Sequence, residues 1–248
     1  MKPIQNMLLN SYKCVKHGFF RGFDNSGNSL NVGIQVSDNA IDNRKKIADY
    51  FGVDLSNLII LNQKHSNIVH VITNDNIEKF KFSSIENALK NEGDAIITNV
   101  PNVLIGVNTA DCAPILLFDD KKNYIAAIHS GWRGTIGSII ENTVTELNEL
   151  GCTNVIAVIG PCISKNNLIL EKELIPYIYK KQFTKDINEK ECYFDMIGLV
   201  IKKLRNHKIV KNISSVNINT FTNECFYSYR RSNQKREGLQ FSGIMLSE

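Results

Sequence analysis

Residues 124–135 read YIAAIHSGWRGT, and the fold turns on this stretch. Ile125, Ala126, Ala127 and Ile128 form an unbroken apolar run after the charged turn Asp119 to Asn123, the pattern of a strand covered on both faces. His129 stands at its exit. Gly131 and Gly134 bracket Trp132 and Arg133, so a permissive backbone presents an aromatic face and a guanidinium fork above the strand end. Downstream, Ile136, Ile139, Ile140, Val144, Leu147 and Leu150 recur at helical spacing and stop at Gly151. That spacing predicts one helix beginning after Gly134. The unpaired amides of its first turn would lend positive potential to His129 and Arg133, an environment suited to phosphate.

On either side the chain alternates strands with helices. Leu58 to Leu61, Ile68 to Ile72, Gly93 to Thr98 and Val103 to Val107 have strand composition. Pro114 cannot donate to a ladder and restricts its predecessor, which places Asp111 and Cys112 in a bend before a strand over Ile115 to Phe118. NRKKIADYF at 43–51 predicts a short helix, capped by Asp42 or Asn43 and stopped by Gly52. Val155 to Ile159 is a further strand, Asp195 to Leu204 a last helix, and Ile213 to Ile218 the strand after it. Residues 1 to 40 read as strands and loops of weak periodicity. With no repeat or low-complexity linker, strands and helices mixed in one α/β domain over residues 1–248 is the expectation.

Composition narrows the function classes. The formal charge of +4 on 248 residues is spread along the chain, too weak for a nucleic-acid-binding face. No segment approaches the ~20 apolar residues of a membrane span, and the first twenty residues lack the compact apolar core of a signal peptide. A soluble cytoplasmic protein with no evident protein partner is therefore expected. The 6 cysteines contain no CxxC pair. Cys152 and Cys162 flank an apolar run and read as small buried hydrophobes, whereas Cys112 lies in a bend among polar groups.

Three apolar strands end on a potential metal ligand: His65, Cys112 and His129. One thiolate and two imidazoles make a three-ligand zinc set that leaves the fourth tetrahedral position open, the catalytic form of such sites. Asp111 is a candidate proton carrier or supporting acceptor beside the thiolate. A metal-free Cys112–His129 nucleophile pair stands as the alternative. His17, His70 and His207 lack a comparable setting and read as structural or solvated.

Six motifs together, QKH at 63–65, GDAIIT at 93–98, TADCAP at 109–114, HSGWRG at 129–134, IGP at 159–161 and FYSYRR at 226–231, run through most of the chain. They resemble the purine nucleoside phosphorylase family once labelled laccase-domain or polyphenol oxidase proteins. The resemblance implies a single layered α/β domain of mixed β-sheets flanked by helices, with Zn²⁺ held at His65, Cys112 and His129. It also implies phosphorolysis of adenosine, inosine and methylthioadenosine, and adenosine deamination at the same site. Departures lie near the ends: HGFFRGF at 17–23 stands in for the family's opening motif, and Phe221 precedes Thr222 where the family carries cysteine.

Phosphorolysis needs an anion site, for which Arg133, Arg230 and Arg231 are candidates, with Trp132 as a further substrate contact. Deamination needs a carboxylate proton carrier, and Asp111 and Asp94 are the nearest. Copper is the alternative metal, and copper-dependent polyphenol oxidation the rival activity. A multicopper centre, however, calls for more imidazoles than 5 histidines supply. A Cys-His hydrolase and a non-catalytic metal-holding module complete the alternatives.

Overall fold

Along Ala113–Asp119 the side chains alternate between two cores. Ala113, Ile115 and Leu117 pack on one side of the sheet, Leu116 and Phe118 on the other. Tyr124–Ser130 repeats the pattern with Ala126 and Ile128 against Ile125 and Ala127, and Val155–Ile159 with Val155, Ala157 and Ile159 against Ile156 and Val158. These strands are the centre of a six-stranded mixed sheet in the order Val210–Ser215, Val155–Ile159, Ala113–Asp119, Tyr124–Ser130, Ala95–Thr98, Val69–Ile72. The computed structural model describes residues 2–24 and 26–247. Met1, Asn25 and Glu248 lie outside the described residues, as does the part of the 1–40 reading that falls on Met1 and Asn25.

A second, four-stranded sheet, ordered Val15–Phe19, Gln240–Leu246, Leu104–Thr109, Leu58–Ile60, packs on the first. Ile59, Ile105, Val107 and Ile244 share a core with Leu116, Phe118 and Ile125. Helix Ala40–Phe51 covers its outer face through Ile47, Ala48 and Phe51. The outer face of the six-stranded sheet is covered by helices Ile139–Glu149 and Met196–Arg205 and by a small sheet of Thr184–Asp186, Glu191–Phe194 and Ile169–Glu171. The layers therefore run helix, sheet, sheet, helix, a mixed α/β architecture.

Several expectations need correction. The single helix after Gly134 is two, Trp132–Ile136 and Ile139–Glu149. Ser138 takes left-handed backbone (φ 75°) between them, which re-aims the second helix so that Ile139, Ile140, Val144 and Leu147 meet the sheet. The helix ending at Gly52 starts at Ala40 with Asn39 as its cap, while Asn43 turns inward to donate to the carbonyl of Asn31. The strand expected over 213–218 is Val210–Ser215, with Asn217 already left-handed (φ 53°). Pro114 is the second residue of its strand, opposite His129, where its missing N–H forfeits one bond at the ladder's end. Strand Val15–Phe19 lies in the 1–40 stretch read only as strands and loops, and Gln240–Leu246 escaped the sequence reading. The latter passes so close to Leu104–Thr109 that a Cβ on Gly106 would fall 2.2 Å from the Phe241 ring.

Candidate active site

The ends of both large sheets meet at the exit of Tyr124–Ser130. Cys112 precedes the strand paired with it, His129 lies within it, and His65 sits in the loop beyond Leu58–Ile60, held at φ 58°. Their ligand atoms lie within 4.8 Å of one another, with His65 Nε2 3.6 Å from Cys112 Sγ. The two imidazole rings meet edge to face at 4.8 Å. Gly131 makes room for this approach, since a Cβ there would stand 2.7 Å from the His65 ring and 2.8 Å from Cys112 Sγ. Tetrahedral zinc, at about 2.3 Å from sulfur and about 2.05 Å from nitrogen, would set S and N about 3.6 Å apart, the separation of Cys112 Sγ and His65 Nε2.

Asp94 organises the cluster. Its Oδ1 accepts from His129 Nδ1 (2.7 Å) and the His65 backbone N–H (3.0 Å). Its Oδ2 accepts from the Lys64 N–H (3.1 Å), the Ser66 N–H (2.7 Å) and Ser66 Oγ (2.6 Å). Because a carboxylate only accepts, His129 carries its proton on Nδ1 and turns Nε2 to the cluster. Burial raises the Asp94 carboxyl, but His129 and Ser66 outweigh it and hold the group down at about 2. Burial likewise raises the Cys112 thiol, yet the His129 charge and hydrogen bond, then those of His65, bring it down to about 6. His129 is pushed down by burial and pulled up more strongly by Cys112 and Asp94, to about 9. Without metal the two form a thiolate–imidazolium pair.

A cavity of about 800 Å³ opens on this cluster, within the roughly 300–1,000 Å³ usual for small-molecule sites. Its wall includes His65, Asp111, Cys112, His129, Trp132, Arg133 and Arg230. Arg133 is exposed and lays its guanidinium 4.3 Å over the Trp132 ring. Two expected site residues stand off the cavity wall. Asp94 does not line the cavity; it supports the ligands. Arg231 is turned away, donating to the carbonyls of Thr220, Phe221 and Phe226 and so fastening its own loop. Asp111 reaches the cavity without bonding the cluster. At φ 85° it accepts from Thr220 Oγ1 (2.6 Å) and the Arg230 N–H (2.7 Å).

A family model described as multi-copper polyphenol oxidoreductase laccase matches residues 17–247. The chain belongs to this laccase-like family. Relatives carry another activity in their names. A purine nucleoside phosphorylase of Rickettsia conorii is 35% identical over 79% of this chain and 79% of its own length. One of Clostridium acetobutylicum is 32% identical over 90% of each. Adenosine deaminase RL5, from an unknown prokaryotic organism, is 36% identical over 64% of this chain and 62% of its own. Among solved structures, Bacillus licheniformis hypothetical protein YfiH superposes with a TM-score of 0.82 at 25% identity, covering 94% of this chain and 93% of that one.

Against the family's multi-copper description, His65–Cys112–His129 is the only group of three or more potential ligands close enough to hold an ion among the described residues. His17 accepts from the Asn6 N–H and His70 bonds the Glu92 carbonyl, both away from the cluster. No helix among the described residues is long and apolar enough to cross a membrane. Sequence reading overlooked Gln63 as a brace. Its carboxamide clamps both backbone groups of Asn108, at 2.7 Å each, and ties the His65 loop to the strand leading to Cys112. Its place in the QKH motif was the available signal.

Proposed function

We propose that this laccase-like chain is a zinc-dependent purine nucleoside phosphorylase that also deaminates adenosine, with adenosine, inosine and methylthioadenosine as substrates and the whole chain acting as one cytoplasmic domain. The observation that carries the reading is the His65–Cys112–His129 cluster opening on a ligand-sized cavity walled by Trp132, Arg133 and Arg230. The names of the relatives support it. In phosphorolysis an oxygen of phosphate bonds to ribose C1′ as the bond from C1′ to the purine nitrogen breaks, and the departing base gains a proton. Trp132 offers a face on which a purine stacks; Arg133 and Arg230 offer guanidinium groups to phosphate. Asp111, bordering the cavity with lone pairs beyond its two bonds, is the carboxylate proposed to move the proton. Zinc held by His65, Cys112 and His129 would supply Lewis-acid chemistry, and a thiolate with two imidazoles suits zinc better than a multicopper centre.

Incubating the protein with inosine, with and without phosphate, tests the reading. Hypoxanthine and ribose 1-phosphate formed only with phosphate are expected. Free ribose released regardless of phosphate would reject a phosphorylase. The thiolate–imidazolium pair favours a second reading, Cys112 as nucleophile with His129 as its base. Chelation followed by zinc restoration separates the two: activity that survives complete metal removal transfers the chemistry to that pair.

A further inference from the structure

Helix Ala40–Phe51 buries Ile47, Ala48 and Phe51 on the four-stranded sheet, and one turn earlier Arg44 points to the cavity, which it lines with Ile60, Leu61 and Asn62. Arg44 is only 5% exposed. Its Nε donates to the Val32 carbonyl at 2.9 Å, and its two terminal nitrogens have no hydrogen-bond partner among the described residues. None of the ion pairs among the described residues includes it. Burial lowers its pKa to about 10, so it remains a cation at neutral pH. A guanidinium so largely buried is seldom without a counter-charge, and here its terminal N–H groups face the cavity instead of a protein acceptor.

Arg231 and the exposed Arg133 make the contrast, and Arg230 and Arg236, also on the wall, are less buried than Arg44. Arg231 spends its donors on loop carbonyls and Arg133 is solvated on Trp132. The carboxylates on the cavity wall do not serve Arg44: Asp111 is bonded to Thr220 and Arg230, while Glu171 and Glu191 lie exposed on the small sheet. A planar fork with free N–H groups at a cavity wall matches the oxygens of a phosphate group.

We propose that Arg44 anchors a phosphate-group site at this end of the cavity. The group is either inorganic phosphate, in which case Arg44 rather than Arg133 and Arg230 anchors the co-substrate of the phosphorylase reading on which that choice rests, or the phosphate of a nucleotide. Thermal unfolding with inorganic phosphate or adenosine 5′-monophosphate as probe separates the sources. The wild-type midpoint should rise with one of them. Arg44→Met also loses the bond to the buried Val32 carbonyl, so it is read against its own ligand-free midpoint, from which it should show no ligand-induced rise. Arg44→Lys, which keeps the charge without the fork, should respond at roughly tenfold higher ligand concentration or more. A rise that persists undiminished in both variants, or a wild type that responds to neither probe, overturns the proposal. Failure of the phosphorylase reading looks different: ligand-induced stabilisation through Arg44 with inosine left intact would reject phosphorolysis and keep the anion site. Phosphorolysis whose KM for phosphate ignores both variants, together with an undiminished ligand-induced rise in both, would reject the anion site and keep the phosphorylase.

Discussion

Two buried aspartates, Asp94 and Asp111, flank the same cavity and build different parts of it. The Asp94 carboxylate makes five hydrogen bonds, four to the loop from Lys64 to Ser66 and one to the His129 ring, so its region is a floor beneath the His65, Cys112 and His129 side chains. Asp111 adjoins Cys112 in the chain but reaches across it to Thr220 and the Arg230 N–H, and its carbonyl accepts from Ile163. Its region is a wall, joining the bend at the strand end to two distant loops. Proximity in sequence pointed to Asp111 as the support of the thiolate, yet the support of the cluster comes from Asp94. Backbone direction is the reason: left-handed geometry at Asp111 turns its side chain away from Cys112, whereas Asp94 leads into the strand paired with His129.

Asp94→Asn is the sharpest way to break this comparison. Removing the charge leaves His129 and the loop amides incompletely paired in a buried site, so unfolding by denaturant should report a loss of about 3–5 kcal/mol. Zinc titration should find affinity weaker by about 10–100-fold. Acid places the next effect outside both regions. His17 is buried, held down to about 4 by desolvation, and its Nε2 accepts from the Asn6 N–H. Between about pH 6.5 and 4 the unfolded chain binds a proton there that the folded chain refuses, so stability falls as pH falls, by about 3 kcal/mol in all. Asp94 adds a later acid step. Its depressed pKa stabilises the fold above the ordinary carboxylate range, and about 2 kcal/mol is lost as pH falls through about 2. Stability measured against pH in His17→Phe should lack the first step and keep the second.

Asp111→Asn should cost less, about 1–3 kcal/mol, because an amide group replaces the oxygen facing the Arg230 N–H while asparagine tolerates left-handed backbone. Zinc affinity should stay at the wild-type value, while kcat for inosine should fall by about 10²–10⁴-fold because the proton-moving carboxylate is lost. Zinc loss equal to that of Asp94→Asn would erase the distinction between floor and wall. Cys112→Ala should have the smallest effect on the fold, under about 1 kcal/mol, since the residue is only partly buried and bonds His65 through a long contact. It should nevertheless abolish metal retention and turnover, measured by elemental analysis and inosine cleavage.

Local sequence determined the central strands, the stop at Gly52 and the helix from Asp195 to Leu204, because apolar runs and left-handed glycines act within a few residues. The motifs carrying His65, Cys112 and His129 were legible for the same reason: each sits at the abrupt end of an apolar run. Tertiary structure alone decided the rest. Strand Gln240–Leu246 owes its place to pairing with Val15–Phe19 and Leu104–Thr109, partners far away in the chain. The break at Ser138 answers to the sheet beneath it. Whether an aspartate supports a ligand or a loop, and whether an arginine is solvated, spent on carbonyls or buried without a counter-charge, depends on neighbours brought together by folding. Burial and electrostatics are properties of those neighbours, and no spacing within the sequence encodes them.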